Sequence, residues 1–290
     1  MNVGFVGLGN IGLPMARNIA DAGFALTVFD LNAVPLQHMA AHGAQVAASL
    51  AELGRACDCV GICVRDDTEV EQVLLGDAGI FGRARPGTVV AVHSTIRPRT
   101  VVRLAEIGAA SGVHVLDVPI TGGAHGAAAR TLCYMAAGDT QVIERCRAVF
   151  ATSAARIVLT GPLGSGMATK LANNLMMYLG FVAAFEATRF AAHAGIAEEI
   201  LTAVTQANGV MTPPMLAYLG LLKTISRHQE RLALQPQLEK FTDLAEKDLA
   251  ITLEYAAELG VTLPATALCQ QLMARVYGLD EGRQPGRAAE

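Results

Sequence analysis

The opening segment MNVGFVGLGNIGLPMARNIADAG constrains this chain more than any other. Gly7-x-Gly9-x-x-Gly12 follows the apolar run NVGFVG (2–7) and opens a helical stretch that ends near Ala22. Between a strand and a helix, each glycine has its own use. Gly7 permits a tight turn, Gly9 lets a bound group approach the backbone, and Gly12 lets the helix pack close to the strand. The helix start, with Asn10 and Ile11 in the loop before it, offers unpaired N–H groups and a partial positive charge, which suits a pyrophosphate. Asp30 closes a second β-branched run, ALTVFD (25–30), 18 residues after Gly12, where a carboxylate can bond both hydroxyls of an adenine ribose. That carboxylate repels a 2′-phosphate, and Leu31-Asn32-Ala33 bring no Arg or Lys to attract one. NAD is therefore expected in preference to NADP.

The same rhythm continues. DCVGICV (58–64), TVVAVH (88–93) and VHVLDVPI (113–120) are further strand candidates separated by segments of helical length and composition. Strand and helix in alternation imply a parallel sheet with right-handed crossovers. The rhythm stops after about residue 163. A proline-free Ala/Leu/Met-rich stretch runs from Gly164 to Gly195, and the remainder to about Tyr277 reads as helix broken at Pro213-Pro214, at Pro236 and at Gly260 through Pro264. The expectation is an α/β chain in two parts: an N-terminal Rossmann domain, a doubly wound parallel sheet, over 1–162, and an all-α C-terminal domain over 163–290. The polar tail EGRQPGRAAE (281–290) reads as a frayed end.

Composition removes several classes of function. With 52% hydrophobic and 17% charged residues and a net charge of −4, neither a disordered chain nor a charge-driven nucleic-acid binder is expected. Met1 and Asn2 run straight into the apolar glycine-containing stretch with no charged segment of a signal peptide, which points to a cytoplasmic protein. The most lipid-like segment, LMMYLGFVAAF (175–185), lies between Asn173-Asn174 and Glu186, short of the roughly 18 apolar residues of a membrane span, and reads as a buried core helix. The six cysteines read as reduced thiols, with Cys57, Cys59 and Cys63 as core residues of a buried strand in preference to zinc ligands. His38 and His42 stand four apart but lack a third ligand and read as solvated, so no metal is expected.

Chemistry has to come from strand ends and from the second domain. HSTIRP (93–98) ends the fourth strand candidate, where Ser94 and Thr95 either face a nicotinamide or cap the next helix. DVPITGGAHG (117–126) ends the fifth. Thr121 with Gly122-Gly123 offers a hydroxyl and open backbone N–H groups, either a cradle for a small carboxylate or a plain turn. In GSGMATKLANNLMMY (164–178), Lys170 and Asn174 are four apart on one helix face amid Ala, Leu and Met. Lys170 is either a lysine whose pKa is pulled down until it can take an alcohol proton, with Asn174 holding the oxygen, or a lysine snorkelling from an apolar helix.

Four ordered motifs, GLGNIGLPM, DVPITGGAHGAAARTL, GSGMATKLANN and EKDLAITLEYAAELGVTLP, cover nearly the whole chain and resemble the β-hydroxyacid dehydrogenase family, which includes 3-hydroxyisobutyrate dehydrogenases and tartronate semialdehyde reductases and is 6-phosphogluconate dehydrogenase-like in its architecture. The resemblance implies that Lys170 is the general acid/base with Asn174 assisting. It implies that Thr121, Gly122 and Gly123 bind the substrate carboxylate and that Val64, Arg65 and Thr95 lie against the cofactor; Ser94, at the neighbouring strand end, is counted with the substrate-binding residues. Lys247 would reach into the cofactor and substrate cleft as a further cofactor-binding residue, although the apolar stripe Phe241, Leu244, Ala245 and Leu249 leaves it towards the polar side of its helix. The implied activity is NAD-linked oxidation of a small, 3-hydroxyisobutyrate-like 3-hydroxy acid to its semialdehyde, in a homodimer or homotetramer. The alternatives are a reductase acting on 2-hydroxy-3-oxopropionate or another semialdehyde, or of glyoxylate type; an imine reductase, which Lys170 disfavours; and a non-catalytic dinucleotide-binding module, which Lys170 and Asn174 together disfavour.

Three features depart from the family pattern. Thr121 stands in place of the usual serine. His93 and Arg97 flank Ser94-Thr95 and suggest a more basic site mouth. NGVMTPPML (208–216) replaces a serine- and glycine-rich segment. From Asp30 follows an expected outcome: kcat/KM measured with NAD should exceed that with NADP by at least about tenfold, or roughly 1.4 kcal/mol. Equal values would remove Asp30 from the ribose.

Overall fold

The structure, a computed structural model, describes residues 1–76 and 78–279, so the expected frayed tail lies outside the described residues. The chain divides into two compact units, Met1–Lys170 and a second beginning at Leu171.

The first unit runs β1 (Asn2–Val6), α1 (Gly12–Asp21), β2 (Ala25–Phe29), α2 (Ala33–Ala41), β3 (Gln45–Val46), α3 (Leu50–Ala56), β4 (Cys59–Ile62), α4 (Asp67–Leu75), β5 (Val89–Val92), α5 (Pro98–Ala110), β6 (His114–Asp117), β7 (Ile120–Thr121), α6 (Gly123–Ala128), β8 (Leu132–Ala137), α7 (Thr140–Phe150) and β9 (Ala154–Gly161). The sheet order is β3-β2-β1-β4-β5-β6-β8-β7, with β9 on β8. From β3 to β6 every pairing is parallel. The strands β4 and β5 are buried at every residue because helices cover both sheet faces, which is why they read as unbroken apolar runs. Alternate residues of β5 feed opposite cores: Val89 and Ala91 pack with Phe5, Met15 and Ile19, whereas Val90 and Val92 pack with Leu53, Ile62 and Leu74. The chain's first strand lies between β2 and β4, so strand order reverses at the carboxyl end of β1, the place where such sheets open a crevice for ligands.

Within the sheet, three features differ from the sequence expectation. The sheet is not wholly parallel, because β8 runs antiparallel to both β6 and β7. The single strand expected over 113–120 is split into β6 and β7 around Val118-Pro119, since Pro119 has no N–H to give a ladder; its carbonyl instead accepts from Met135 N at 2.9 Å. His93 does not reach the mouth of a site. It is buried, stacked on Phe5 at 6.2 Å and edge-on to Tyr134 at 5.4 Å, and its Nδ1–H donates to the Val118 carbonyl at 2.8 Å. Burial holds its imidazole down at about 4, so it brings no charge at neutral pH.

The long helix α8 (Ser165–His193) starts in the first unit. The second unit adds α9 (Glu198–Ala207), α10 (Pro213–Ile225), α11 (His228–Glu258) and α12 (Pro264–Val276). Its core joins Tyr178, Phe181 and Ala184 of α8 to Tyr218, Ala245, Leu249 and Met273. The expected buried core helix over 175–185 is buried on one face only, since Met176 is 74% exposed. Pro236 does not break a helix as expected: α11 runs through it, and Leu238, Thr242, Ala245 and Leu249 bury one continuous face beyond it, offsetting the lost backbone bond. Leu244, assigned to that stripe from the sequence, is exposed. The segment 208–216 is half turn and half helix: Thr212 caps α10, which begins at Pro213.

Asn18 on α1 is buried and donates to the Ala127 carbonyl at 2.8 Å and to Ser153 Oγ at 3.1 Å, while Arg130 Nε donates to its Oδ1 at 3.2 Å. It ties the first helix to α6. Asn18→Ala strands these buried partners and should lower unfolding free energy by about 2 kcal/mol, seen as a lower urea midpoint at constant m-value.

Candidate active site

The loop after β1 is shaped by contacts that exclude side chains at two of its three glycines. Gly7 has φ of +90°, and a Cβ there would lie 2.3 Å from the Cys63 carbonyl oxygen; one at Gly12 would lie 1.9 Å from that of Gly7. Gly9 is different. A Cβ at Gly9 would meet no protein atom within 4 Å, so internal packing does not require glycine and the space above the loop is open. Ile11, the N-cap of α1, gives no side-chain cap and the first turn carries no acidic residue, which leaves the helix start suited to an anion. Asp30 spans the loop: Oδ2 accepts from Leu8 N at 2.6 Å and Oδ1 from Asn32 N at 2.7 Å. Each oxygen keeps lone-pair capacity for a hydroxyl. Leu31 is 96% exposed, and the Asn32 side chain caps α2. The open space at Gly9, the free helix start and the fixed carboxylate fit a dinucleotide.

At the next strand ends, Ser94 Oγ accepts from Val64 N at 2.8 Å, joining the ends of β4 and β5. Ser94 is buried and caps nothing, for the N-cap of α5 is Arg97. Thr95 is half-buried, and Arg65 is exposed and paired with Asp66 and Glu69. The expected basic mouth is corrected at Arg97 too: its guanidinium lies 3.2 Å from Asp67, which also accepts from its backbone N and from Thr100 Oγ1.

Beyond β6 the chain turns through Thr121, Gly122 and Gly123. Thr121 is half-buried, while both glycines are exposed at positive φ, +124° and +63°. A Cβ at Gly122 would touch Leu132 Cδ2 at 3.0 Å, whereas one at Gly123 would meet only open space.

Lys170 and Asn174 sit one turn apart on α8, Lys170 half-buried and Asn174 buried. The structure adds two carboxylates that sequence reasoning missed. Asp248 is buried, its Oδ2 accepts from Asn174 Nδ2 at 2.7 Å, and its Oδ1 lies 3.1 Å from Lys247 Nζ, an ion pair whose geometry is not that of a hydrogen bond. Lys247 is thus brought beside Asn174 through a shared partner, and its side chain is only 22% exposed where the helical stripe implied solvation. Asp117, fully buried at the end of β6, accepts on Oδ2 from Gly164 N at 3.0 Å and Met167 N at 3.1 Å. Burial pushes its carboxyl up to about 6, against the pull of the N–H groups of Met167, Gly164 and Gly166. A signal existed for Asp248, which falls three residues after Ala245 and one before Leu249, on the buried face of the helix.

These features define an oxidoreductase that binds NAD on a Rossmann domain. Residues 2–161 match the family model of the NAD binding domain of 6-phosphogluconate dehydrogenase, and residues 164–286 match that of the NAD-binding region of NADP-dependent 3-hydroxyisobutyrate dehydrogenase. The chain belongs to the β-hydroxyacid dehydrogenase family. It is 35% identical to an uncharacterized oxidoreductase of Mycobacterium tuberculosis over 96% of this chain and 93% of that one. It is 32% identical to 2-hydroxy-3-oxopropionate reductase of Escherichia coli over 94% and 90% of the two chains. Among solved structures it resembles Mycobacterium tuberculosis 3-hydroxyisobutyrate dehydrogenase with L-serine, at a TM-score of 0.77 and 27% identity, covering 94% and 92% of the two chains.

Gly9 gives a test that separates cofactor fit from folding. Gly9→Ala should leave the melting temperature of the cofactor-free protein unchanged and weaken NAD binding at least about tenfold, or roughly 1.4 kcal/mol, by calorimetric titration. Unchanged affinity would mean that the space above Gly9 is not cofactor space.

Proposed function

We propose that this enzyme interconverts a small 3-hydroxy acid of the 3-hydroxyisobutyrate or serine type and its semialdehyde, with Lys170 as the general acid/base. The observation that carries the reading is the stacking of Lys170 and Asn174 one turn apart on α8, with Asn174 buried and its amide tied to Asp248. The residues of the β1 loop and Asp30 would hold NAD, which would supply the hydride acceptor for oxidation of the carbinol carbon. In the oxidation direction the neutral Lys170 Nζ accepts the hydroxyl proton as hydride leaves; in the reduction direction its ammonium returns it. Asp248 fixes which end of the Asn174 amide is the donor, and the second Nδ2 hydrogen is the one that holds the substrate oxygen. Asn173 supports this orientation by donating to Asn174 Oδ1 at 3.2 Å.

The carboxylate of the substrate is assigned to Thr121, Gly122 and Gly123, with Ser94 fixing the neighbouring strand end. Val64, Arg65 and Thr95 are assigned to the cofactor, along with Gly7, Gly9, Asn10, Ile11, Gly12 and Asp30. The similarity to the Escherichia coli reductase supports reduction of a semialdehyde as a second physiological direction of the same chemistry. We assign the enzyme to the cytoplasm and to a homodimer or homotetramer. Exposed Met176, Phe190, Ile200 and Val204 on α8 and α9 supply apolar surface for such an assembly.

The test is an absorbance assay of NAD reduction over a panel of small hydroxy acids that includes 3-hydroxyisobutyrate, L-serine and D-glycerate. With the best substrate, Lys170→Ala should lower kcat by about 10² to 10⁴ with NAD affinity retained. Lys170→Arg should be almost as damaging, because arginine keeps the charge but does not release its proton. Near-normal oxidation by Lys170→Arg would leave Lys170 a binding residue only.

A further inference from the structure

We infer that Asp117 is the positioning residue for Lys170: from the end of β6 its buried carboxylate holds the first turn of α8 and so sets where the lysine stands. The inference rests on the proton-transfer role proposed for Lys170. A helix start carries N–H groups without partners, and a side chain next to it in sequence usually answers them. Here the answer comes from 47 and 50 residues away, through the bonds of Asp117 to Gly164 and Met167. Ser165, placed to act locally, instead donates from its hydroxyl to Thr160 Oγ1 at 3.0 Å.

The fit at this point is close. A Cβ on Gly166 would come 2.7 Å from the Met135 carbonyl oxygen and 2.8 Å from the Asp117 carboxylate, so the first turn is held between β8 and the end of β6. Gly166 and Lys170 are four apart, so the lysine stands one helical turn, about 5.4 Å, above the pinned residue and on its side of the helix. The strand that provides Asp117 leads four residues later to Thr121 and then to Gly122-Gly123. One strand end thereby fixes both the helix of the proposed base and the proposed carboxylate loop, and a misplacement of about 1 Å between such groups can cost on the order of 10²-fold in rate.

Stability alone does not explain the residue. Asp117 Oδ1 makes no well-formed hydrogen bond, and burial raises the carboxyl above its ordinary value. For an acid this sign means that stability from the group is fully present at low pH and falls as pH rises through about 6, so at neutral pH the ionised form costs folding free energy. A neutral cap would serve a purely structural purpose better. What a carboxylate adds is two strong, charge-assisted bonds on one oxygen, which fix the direction of the helix start.

The experiment compares wild type, Asp117→Asn, Lys170→Ala and the double variant as NAD-loaded enzymes, with the best substrate of the hydroxy-acid panel. In parallel, acetylation of the Lys170 amine by acetic anhydride is followed by mass spectrometry, with exposed Lys240 as the internal reference. Asp117→Asn should bind NAD normally, lower kcat by about 10- to 100-fold with KM within roughly threefold, and change the Lys170 to Lys240 acetylation ratio at least about threefold. It should cause no further loss in the Lys170→Ala background. An unchanged kcat and acetylation ratio, or the same loss with and without Lys170, overturns the inference. If Asp117→Asn does not fold, Gly166→Ala, which keeps the carboxylate and displaces the first turn, takes its place with the same supporting and overturning results. If Lys170→Ala keeps its kcat, the proton-transfer reading fails by itself, and the acetylation ratio still decides whether Asp117 positions the lysine.

Discussion

Parallel strand pairing is the constraint on which the placement of chemistry depends. Parallel neighbours need a crossover between them, so successive strands end on the same edge of the sheet. Gly7, Asp30, Cys63-Val64, His93-Ser94 and Asp117 all stand at or just beyond the carboxyl ends of β1, β2, β4, β5 and β6. Backbone bonds reinforce that edge: Gly7 N donates to the Phe29 carbonyl, Cys63 N to that of Val6, and His93 N to that of Ile62. Loops that look unrelated in sequence are thereby assembled into one rim by the ladder that builds the core.

Buried polar groups then fix details that apolar packing leaves loose. Asn18, His93, Asp117 and Asp248 are each almost fully buried, and each contacts an element distant in sequence. An apolar side chain can slide by an ångström at little cost, whereas a buried donor or acceptor that loses its partner costs about 1–3 kcal/mol. Such groups act as register marks, and each lies on or beside a segment that carries a proposed site residue: Gly12, Ser94, Thr121 and Lys247 respectively.

Local sterics made the cofactor loop and the helix of Lys170 legible in the sequence. The glycine spacing and the i, i+4 relation of Lys170 and Asn174 depend only on neighbouring residues. LCYMAA (132–137) was not legible as a strand, because its Leu/Met/Ala composition suits a helix equally and only pairing with β6, β7 and β9 makes it β8. The roles of Asp117 and Asp248 were hidden for a similar reason: Asp117 bonds residues at least 47 positions away and Asp248 one that is 74 away. His93 was misplaced because a strand candidate gives no sign of which side of the sheet its last residue will enter.

The adjacent residues Asp30 and Leu31 differ in how freely each can change. Asp30 is tied to two backbone N–H groups, so its replacement disturbs the loop as well as any ligand. Leu31 is almost wholly solvent-exposed, and nothing in the fold depends on its side chain. A lineage drifting towards phosphorylated cofactors therefore has an uphill and a level step available, and the level one comes first. A cation arising at position 31 would be retained at no structural cost, whereas loss of Asp30 would leave the Leu8 and Asn32 N–H groups to find new partners. The order of substitutions by which this enzyme could change its redox partner is written into the difference in packing between two neighbouring side chains.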